Sequence, residues 1–225
     1  MYRLIRFFLI ITLFVLCMSS CLDKEERVQS VIQNYREYDS VSLYLFENPK
    51  KISFRLDFIG PCEYSFLDSG EKKEKYDRLC EIHGDTNFNK MVSWVGLPRP
   101  LAMTVTPDVA SIDITSDRRF DSNHGPGESL NDLVVCEHYP YYEFILNGYR
   151  WKGKELKDYE DVEALICYKV ERLSEMKEID FCLWSIGNKF TFTKNPDEAG
   201  DYNLTVTVED VNHRILKSSC LIAIK

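Results

Sequence analysis

The last fifty residues constrain the fold most, because apolar and polar side chains alternate there as in strands that bury one face. The clearest run is 202–208, in which Tyr202 and every second residue after it are aromatic or apolar and the residues between are Asn or Thr. Similar runs lie at 181–186, 189–193 and 215–224. Alternation with a period of two predicts half-buried β-strands. The C-terminal region is therefore predicted to form β-sheet.

Strand-like runs also occupy the first half of the chain. Residues 41–46 and 52–59 are separated by Asn48-Pro49-Lys50-Lys51, which predicts a hairpin. Further runs begin at 62, 103 and 110. These segments extend the predicted sheet structure over most of the chain.

Three segments have helical spacing instead. Val28, Val31, Ile32 and Tyr35 predict one short amphipathic helix, and within 71–90 a second is predicted with Tyr76 and Cys80 on its buried face. Residues 155–176 are ambiguous, since helical spacing from Leu156 to Leu173 competes with alternation between Ala164 and Val170. We predict a helix there, with a strand as the alternative.

The segment Pro196-Asp-Glu-Ala-Gly-Asp-Tyr202 resembles the corner before strand F of immunoglobulin-like sandwiches, where a tyrosine hydroxyl bonds back to the preceding backbone. Leu204 stands where antibody domains have a cysteine, so their inter-sheet disulfide is not implied. The resemblance implies that the Tyr202 hydroxyl contacts backbone within 195–200. The predicted fold is mainly β, an immunoglobulin-like β-sandwich with a few short helices and long charged loops.

The N-terminus has the pattern of a secretory signal peptide. Arg3 and Arg6 precede an apolar run at 7–16, and Ser19-Ser20 lead into Cys21. This order resembles the lipobox of bacterial lipoproteins, which implies cleavage after residue 20 and acylation of Cys21; an uncleaved apolar anchor or a plain secreted protein is the alternative. The implied partner is a membrane, bound through the acyl chains on Cys21, and the implied location is the outer membrane.

Two more segments resemble lipoproteins of the Bacteroides group. The acidic run 22–26 resembles the export signal of their surface lipoproteins and implies exposure on the cell surface; a solvated linker without a sorting role is the alternative. Residues 97–133, with a proline-rich entry and the sequence Gly-Glu-Ser-Leu-Asn-Asp at 127–132, resemble members of unknown function, and so does the C-terminal third of the chain. That likeness implies location and a β-rich fold, but no activity.

These predictions divide the chain into three parts. Residues 1–20 are a lipoprotein signal peptide, 21–40 a lipid-anchored tether with a short helix, and 41–225 a β-rich globular domain, most sandwich-like in 178–225. The formal net charge is −8, and it becomes −10 once residues 1–20, with their two arginines, are removed. A chain this acidic repels nucleic acid and anionic lipid headgroups, so no nucleic-acid partner is expected.

Six cysteines beyond Cys21 form an even set, as in exported proteins with disulfides. The candidates are Cys62, Cys80, Cys136, Cys167, Cys182 and Cys220. Fifteen pairings are possible and the sequence cannot choose among them; a Cys62–Cys80 bridge would close the charged segment, and Cys182 could pair with Cys220. The alternative is that these residues are buried free thiols that pack as small apolar groups.

Two clusters are candidate binding sites. Carboxylates around the 125–127 turn could hold a calcium ion: Asp117, Asp121, Glu128 and Asp132. A solvated acidic turn is the alternative. Aromatic residues could form a stacking platform for a sugar or peptide: Tyr139, Tyr141, Tyr142, Tyr149 and Trp151. Burial in the core is the alternative there.

The sequence shows none of the nucleophile or nucleotide-binding motifs, and no cofactor is expected. Whether the protein is an enzyme stays open. The hypothesis is an outer-membrane or cell-surface lipoprotein that acts as a binding module for a glycan or protein of unknown identity. The alternatives are a structural subunit of a surface fibre built by strand addition, and a hydrolase whose site is assembled from distant residues.

Overall fold

The structure is a computed structural model that describes residues 30–46, 51–88, 103–150 and 168–224. The strands are β1 (Asn34–Glu37), β2 (Ser40–Phe46), β3 (Ser53–Ile59), β4 (Glu63–Ser65), β5 (Met103–Thr106), β6 (Val109–Ser116), β7 (Val134–His138), β8 (Lys169–Arg172), β9 (Lys189–Phe192), β10 (Gly200–Asp210) and β11 (Ile215–Ile224). The helices are α1 (Glu71–Ile82), α2 (Tyr141–Leu146) and α3 (Glu178–Phe181), with 3-10 turns η1 (Asn131–Leu133) and η2 (Leu173–Glu175). The predicted mainly β class is confirmed.

Two antiparallel sheets enclose the main apolar core. The larger has the order β2-β3-β9-β7-β8 and the smaller has the order β11-β10-β6. Alternate residues of both sheets point inward, among them Phe54 of β3, Phe190 of β9 and Val206 of β10, all fully buried. This arrangement is compatible with a β-sandwich.

A third sheet has the order β4-β1-β5, in which β1 pairs antiparallel with β4 and parallel with β5. Helices α1 and α2 pack against it around a second apolar cluster that includes Tyr35, Tyr76 and Phe144. Helix α1 confirms the helix predicted within 71–90, with Tyr76 and Cys80 buried as expected.

The predicted helix at 28–35 is wrong for the part that the structure describes. Residues 34–37 form strand β1, and the backbone N–H groups of Val31 and Ile32 donate to the buried Asp85 carboxylate at 3.0 and 2.9 Å. Both side chains are fully buried. The folded domain therefore includes residues that the sequence assigned to a tether.

Two further element predictions differ from the structure. The segment 181–186 is not a strand, because its consecutive residues Leu183 and Trp184 are both buried, Leu183 in the second cluster and Trp184 in the main core. Leu183 turns the chain with a φ of 52°. In the described part of 155–176, residues 169–172 form strand β8 rather than helix, while 155–167 lie outside the described residues.

Strand β10 has the predicted alternation and the predicted corner. Tyr202 is fully buried, and its hydroxyl donates to the Glu198 carbonyl oxygen at 2.8 Å. Leu204, Val206 and Val208 share its buried face. The bond fixes the path of the chain into β10, which lies between β11 and β6 and pairs with both.

Substitution of Tyr202 tests this corner. Tyr202→Ala removes a buried ring and its hydrogen bond, so we expect a loss of about 3 kcal/mol in the free energy of unfolding. Tyr202→Phe removes only the hydroxyl and should cost about 1 kcal/mol. Urea unfolding followed by fluorescence measures both losses, and equal stability of the Phe variant and the wild type would contradict a role for the hydroxyl.

Candidate functional site

The outward face of the five-stranded sheet carries a hollow of about 310 Å³. Its polar lining consists of Lys51, Ser53, Glu137, Lys189, Thr191 and Thr193, and Val135 adds an apolar side chain. We call this depression the sheet hollow. It lies at the lower end of the size range of small-molecule sites.

Strand register places these residues together. Ser53 of β3 pairs with Thr191 of β9, and Thr191 pairs with Val135 of β7. In the neighbouring row, Lys189 pairs with Glu137. Since Phe54, Phe190 and Cys136 point into the core, the residues beside them in each strand must point outward.

The floor and one side of the hollow are held by hydrogen bonds. The Ser53 and Thr191 hydroxyl oxygens are 3.1 Å apart, and Ser53 is only 4% exposed despite facing outward. The Lys189 ammonium lies 3.1 Å from Glu137 Oε1. The hollow therefore presents hydroxyls at its floor and a fixed pair of opposite charges at its side.

The same two rows continue to both sheet edges. Tyr44 of β2 pairs with Arg55, whose guanidinium lies 4.8 Å from the centre of the tyrosine ring. Tyr44 is 53% exposed, and Arg172 of β8 ends the first row beside Val135. The outward face thus combines hydroxyls, charged groups and the exposed ring of Tyr44.

The structure does not bring the predicted tyrosines together as an exposed platform. Tyr141 and Tyr149 are buried in the second cluster, and Tyr139 and Tyr142 are partly buried against it. Trp151 lies outside the described residues. Helical geometry over 141–146 turns the ring of Tyr141 inward, so the alternative of core packing holds for the described tyrosines.

The four carboxylates of the predicted acidic cluster do not point toward a common position where a cation could bind. Asp117 Oδ1 accepts from the Asn203 N–H at 2.8 Å, and Glu128 Oε2 accepts from the Gly125 N–H at 2.5 Å. Asp121 and Asp132 do meet, but through His124, whose ring nitrogens lie 2.7 and 2.9 Å from them. Their carboxylates are thus engaged in fixing the 117–132 loop.

The charges around Asp121 stabilise its ionised form. Although burial acts to raise the pKa of Asp121, hydrogen bonds from Lys194 and His124 lower it well below its usual range. Burial likewise acts to lower the pKa of His124, but the Asp121 hydrogen bond and the Asp132 charge raise it. The imidazolium therefore occupies the place that the sequence suggested for calcium.

Within the described ranges, His138, Glu171 and Asp180 are the three side chains whose donor atoms approach closely enough to hold a metal. The Lys169 ammonium already lies 3.8 Å from Glu171 Oε1 and 3.7 Å from Asp180 Oδ1. His138 Nδ1 is buried without a hydrogen-bond partner, whereas a ligating histidine normally donates its second N–H. The cluster is better described as an ion-pair network around a lysine.

The described cysteines are free, so the predicted Cys62–Cys80 and Cys182–Cys220 bridges are wrong. Cys80 points from α1 into the second cluster, and burial raises the pKa of its thiol to about 11. Burial also raises the pKa of Cys136. These thiols pack as small apolar groups and are poor nucleophiles at neutral pH. Cys167 lies outside the described residues.

His83 joins α1 to the turn before β6. Its Nδ1 donates to the Leu79 carbonyl at 2.8 Å, and its Nε2 lies 2.8 Å from Asp108 Oδ2. Because both partners are acceptors, both ring nitrogens carry a proton. Burial acts to lower the pKa of His83, but the bond and charge of Asp108 raise it above the ordinary value.

Thiol labelling tests the absence of bridges among the described cysteines. Alkylation in denaturant without reductant should label all five: Cys62, Cys80, Cys136, Cys182 and Cys220. In the native protein at neutral pH, Cys80 should react slowly because it is buried and protonated. Peptide mapping by mass spectrometry measures both, and a pair that labels only after reduction would contradict the structure.

The raised pKa of His83 predicts a pH-dependent stability. Its contribution is complete below the unfolded pKa of about 6.5 and is lost as the pH rises through the higher folded value. Unfolding free energy measured from pH 6 to 9 should therefore fall, with a slope of at most about 1.4 kcal/mol per pH unit from this group. His83→Gln should reduce the slope relative to the wild type. Identical slopes for His83→Gln and the wild type would contradict the assignment.

Among the helices that the structure describes, none is long and apolar enough to span a bilayer. Comparisons of this chain with protein-family models, with curated proteins and with solved structures find no match.

Proposed function

We propose that the protein is a lipid-anchored binding module of the bacterial outer membrane, with an immunoglobulin-like β-sandwich that takes its ligand in the sheet hollow. The observation that carries the binding role is the hollow itself. Hydroxyls, two ammonium groups and one carboxylate converge there on a face that the described residues leave uncovered. Concave sites with a few convergent polar groups are the usual small-molecule sites of proteins.

The anchoring part of the proposal rests on the N-terminal pattern. Arg3, Arg6 and the apolar run at 7–16 precede Ser19-Ser20-Cys21, as in lipoprotein signal peptides. Acyl chains on Cys21 would hold the domain at a membrane without requiring positive charge on its surface. An acidic domain tethered in this way can present its ligand face to the outside of the cell.

The immunoglobulin-like part rests on the tyrosine corner. The Tyr202 hydroxyl bonds to the backbone four residues earlier, at the entry to β10, as the corner tyrosine of such sandwiches does. The two sheets around the main core have the antiparallel pairing that this fold class requires.

The strand-addition alternative has less support from the sheet edges. The edge of β6 is covered by the following loop, since the Leu130 N–H donates to the Ile114 carbonyl at 2.7 Å and the Asn131 side chain bonds to β6 backbone. At the opposite side, the Leu43 N–H of β2 donates to the Ser218 hydroxyl of β11 at 3.0 Å. These contacts occupy backbone groups that an added strand would need.

The hydrolase alternative finds no pair of carboxylates in the hollow. Glu137 is the acidic residue of its lining, and its carboxylate is paired with Lys189. Glycoside hydrolysis ordinarily needs two carboxyl groups on either side of the bond. The geometry favours binding over cleavage.

Removal of the lipidated cysteine tests the anchor. Cys21→Ala should move the protein from the membrane to the soluble fraction or leave an uncleaved precursor in the membrane, because no acyl chain can be attached. Fractionation followed by mass spectrometry of the N-terminal peptide measures this. A native N-terminal peptide without a diacylglyceryl group on Cys21 would refute the anchor.

A substitution that fills the hollow tests the binding face. Thr191→Arg places a long side chain in the hollow. Thr205→Arg is its matched control, because Thr205 faces outward from β10 in the three-stranded sheet β11-β10-β6 and its hydroxyl oxygen lies 2.8 Å from that of Ser219 on the neighbouring strand, much as Thr191 lies beside Ser53. On a glycan array, the detergent-solubilised wild type and Thr205→Arg should retain a ligand that Thr191→Arg loses. Equal retention by all three proteins, or retention by none, would contradict binding in the hollow.

A further inference from the structure

We infer that the ligand of the sheet hollow is a carboxylated saccharide, a polyol that carries isolated acid groups. This inference rests on the proposed binding function and names the chemical class of the ligand. It is drawn from the charge and the donor–acceptor pattern of the outward face.

The outward face is locally basic although the chain is acidic. Its two rows and its rim carry four cationic side chains, from Lys51, Arg55, Arg172 and Lys189. They face three carboxylates, Glu137 paired with Lys189, Asp57 paired with Arg55 at 3.0 Å and Glu175 paired with Arg172 at 4.0 Å, which leaves Lys51 as the cation in excess among the described residues of this face. In a protein with a net charge of −8, this local excess of positive charge complements an anionic ligand.

The hydroxyl groups specify a polyol rather than a bare anion. The Thr193 hydroxyl donates to the Leu133 carbonyl at 3.0 Å and keeps its acceptor lone pairs, and the bonded Ser53–Thr191 pair keeps one hydroxyl hydrogen that can donate. Together these groups offer both a donor and acceptors, which suits the hydroxyls of a sugar. Glu137 can accept from a sugar hydroxyl, while Val135 offers an apolar surface to the C–H groups of the ring. The volume of about 310 Å³ suits one or two sugar units.

Glu137 also argues against a dense polyanion. A phosphate chain in the hollow would place several negative charges beside this carboxylate, and like charges at such short distances repel. A saccharide with one carboxylate per ring can direct that group toward Lys51, which stands on the exposed rim, and its hydroxyls toward Glu137. Tyr44, 53% exposed in the adjacent row, gives a further ring a surface on which to stack.

Matched ligand pairs test the inference. The carboxylated probes are trigalacturonate and sialyllactose, and their neutral counterparts are the methyl ester of trigalacturonate and lactose. Isothermal titration of the detergent-solubilised full-length protein should show at least one carboxylated probe binding about tenfold or more tighter than its neutral counterpart. Raising the salt from 0.15 to 0.5 M should weaken that binding, because the exposed charges are screened.

Variants that remove one positive charge test whether the carboxylated probe binds in the hollow. Lys51→Gln and Lys189→Gln should each lower the affinity for the carboxylated probe about fivefold or more, and the neutral counterpart should lose less. Lys217→Gln, on the outward face of the other sheet, is the matched control and should bind as the wild type does. Circular dichroism confirms that each variant is folded.

The failures of the two proposals are distinguishable. If carboxylated and neutral probes bind equally, or if neither binds while the glycan array shows another ligand that Thr191→Arg loses, the ligand class is wrong and the binding face stands. If the carboxylated probe binds but Lys51→Gln, Lys189→Gln and Thr191→Arg leave its affinity unchanged, both the ligand class assigned to this hollow and the binding face are wrong.

Discussion

The apolar interface between the two larger sheets is the constraint on which the rest of the structure depends. Phe54 and Phe190 stack at 4.9 Å between these layers, and Tyr202 and Val206 of β10 close the core from the other side. Because side chains alternate along a strand, burial of Phe54 and Phe190 obliges Ser53 and Lys189 to face outward. A slip of one residue would exchange the two sets, so the same burial that stabilises the fold also specifies the composition of the hollow.

Three aspartates hold the connections around this core. Asp85 accepts from the backbone of residues 31 and 32 and from the Tyr149 hydroxyl at 3.1 Å. Asp108 accepts from the Leu183 N–H at 3.0 Å while it contacts His83, and so it joins the second cluster to the segment that enters the main core. Asp210 accepts from the N–H groups of Asn212 and Arg214 in the hairpin after β10. Each carboxylate therefore holds a connecting segment in place through hydrogen bonds from its backbone N–H groups.

These long-range contacts explain where prediction from the sequence succeeded and where it failed. The hairpin of β2 and β3, helix α1 and strands β10 and β11 were predictable because their own periodicity states which face is buried. The strand predicted at 181–186 was wrong because Leu183 packs in the second cluster and Trp184 in the main core, and no single hydrophobic period describes burial in two clusters. The disulfide prediction was wrong because an even number of cysteines does not reveal whether two sulfur atoms lie close enough to bond. The hollow was not predicted, since its hydroxyls come from strands β3 and β9, far apart in the chain, whose pairing the sequence does not state.

The sequence by itself determined the mainly β class, the position of the Tyr202 corner and the alternation that gives each strand an inward and an outward face. These features are local, since they depend on residues within one strand or one turn. Only the tertiary structure decided that β9 inserts between β3 and β7, which brings Ser53, Thr191 and Glu137 to one depression. Strand order is set by how the whole chain buries its apolar surface, and that choice is not encoded in any one segment.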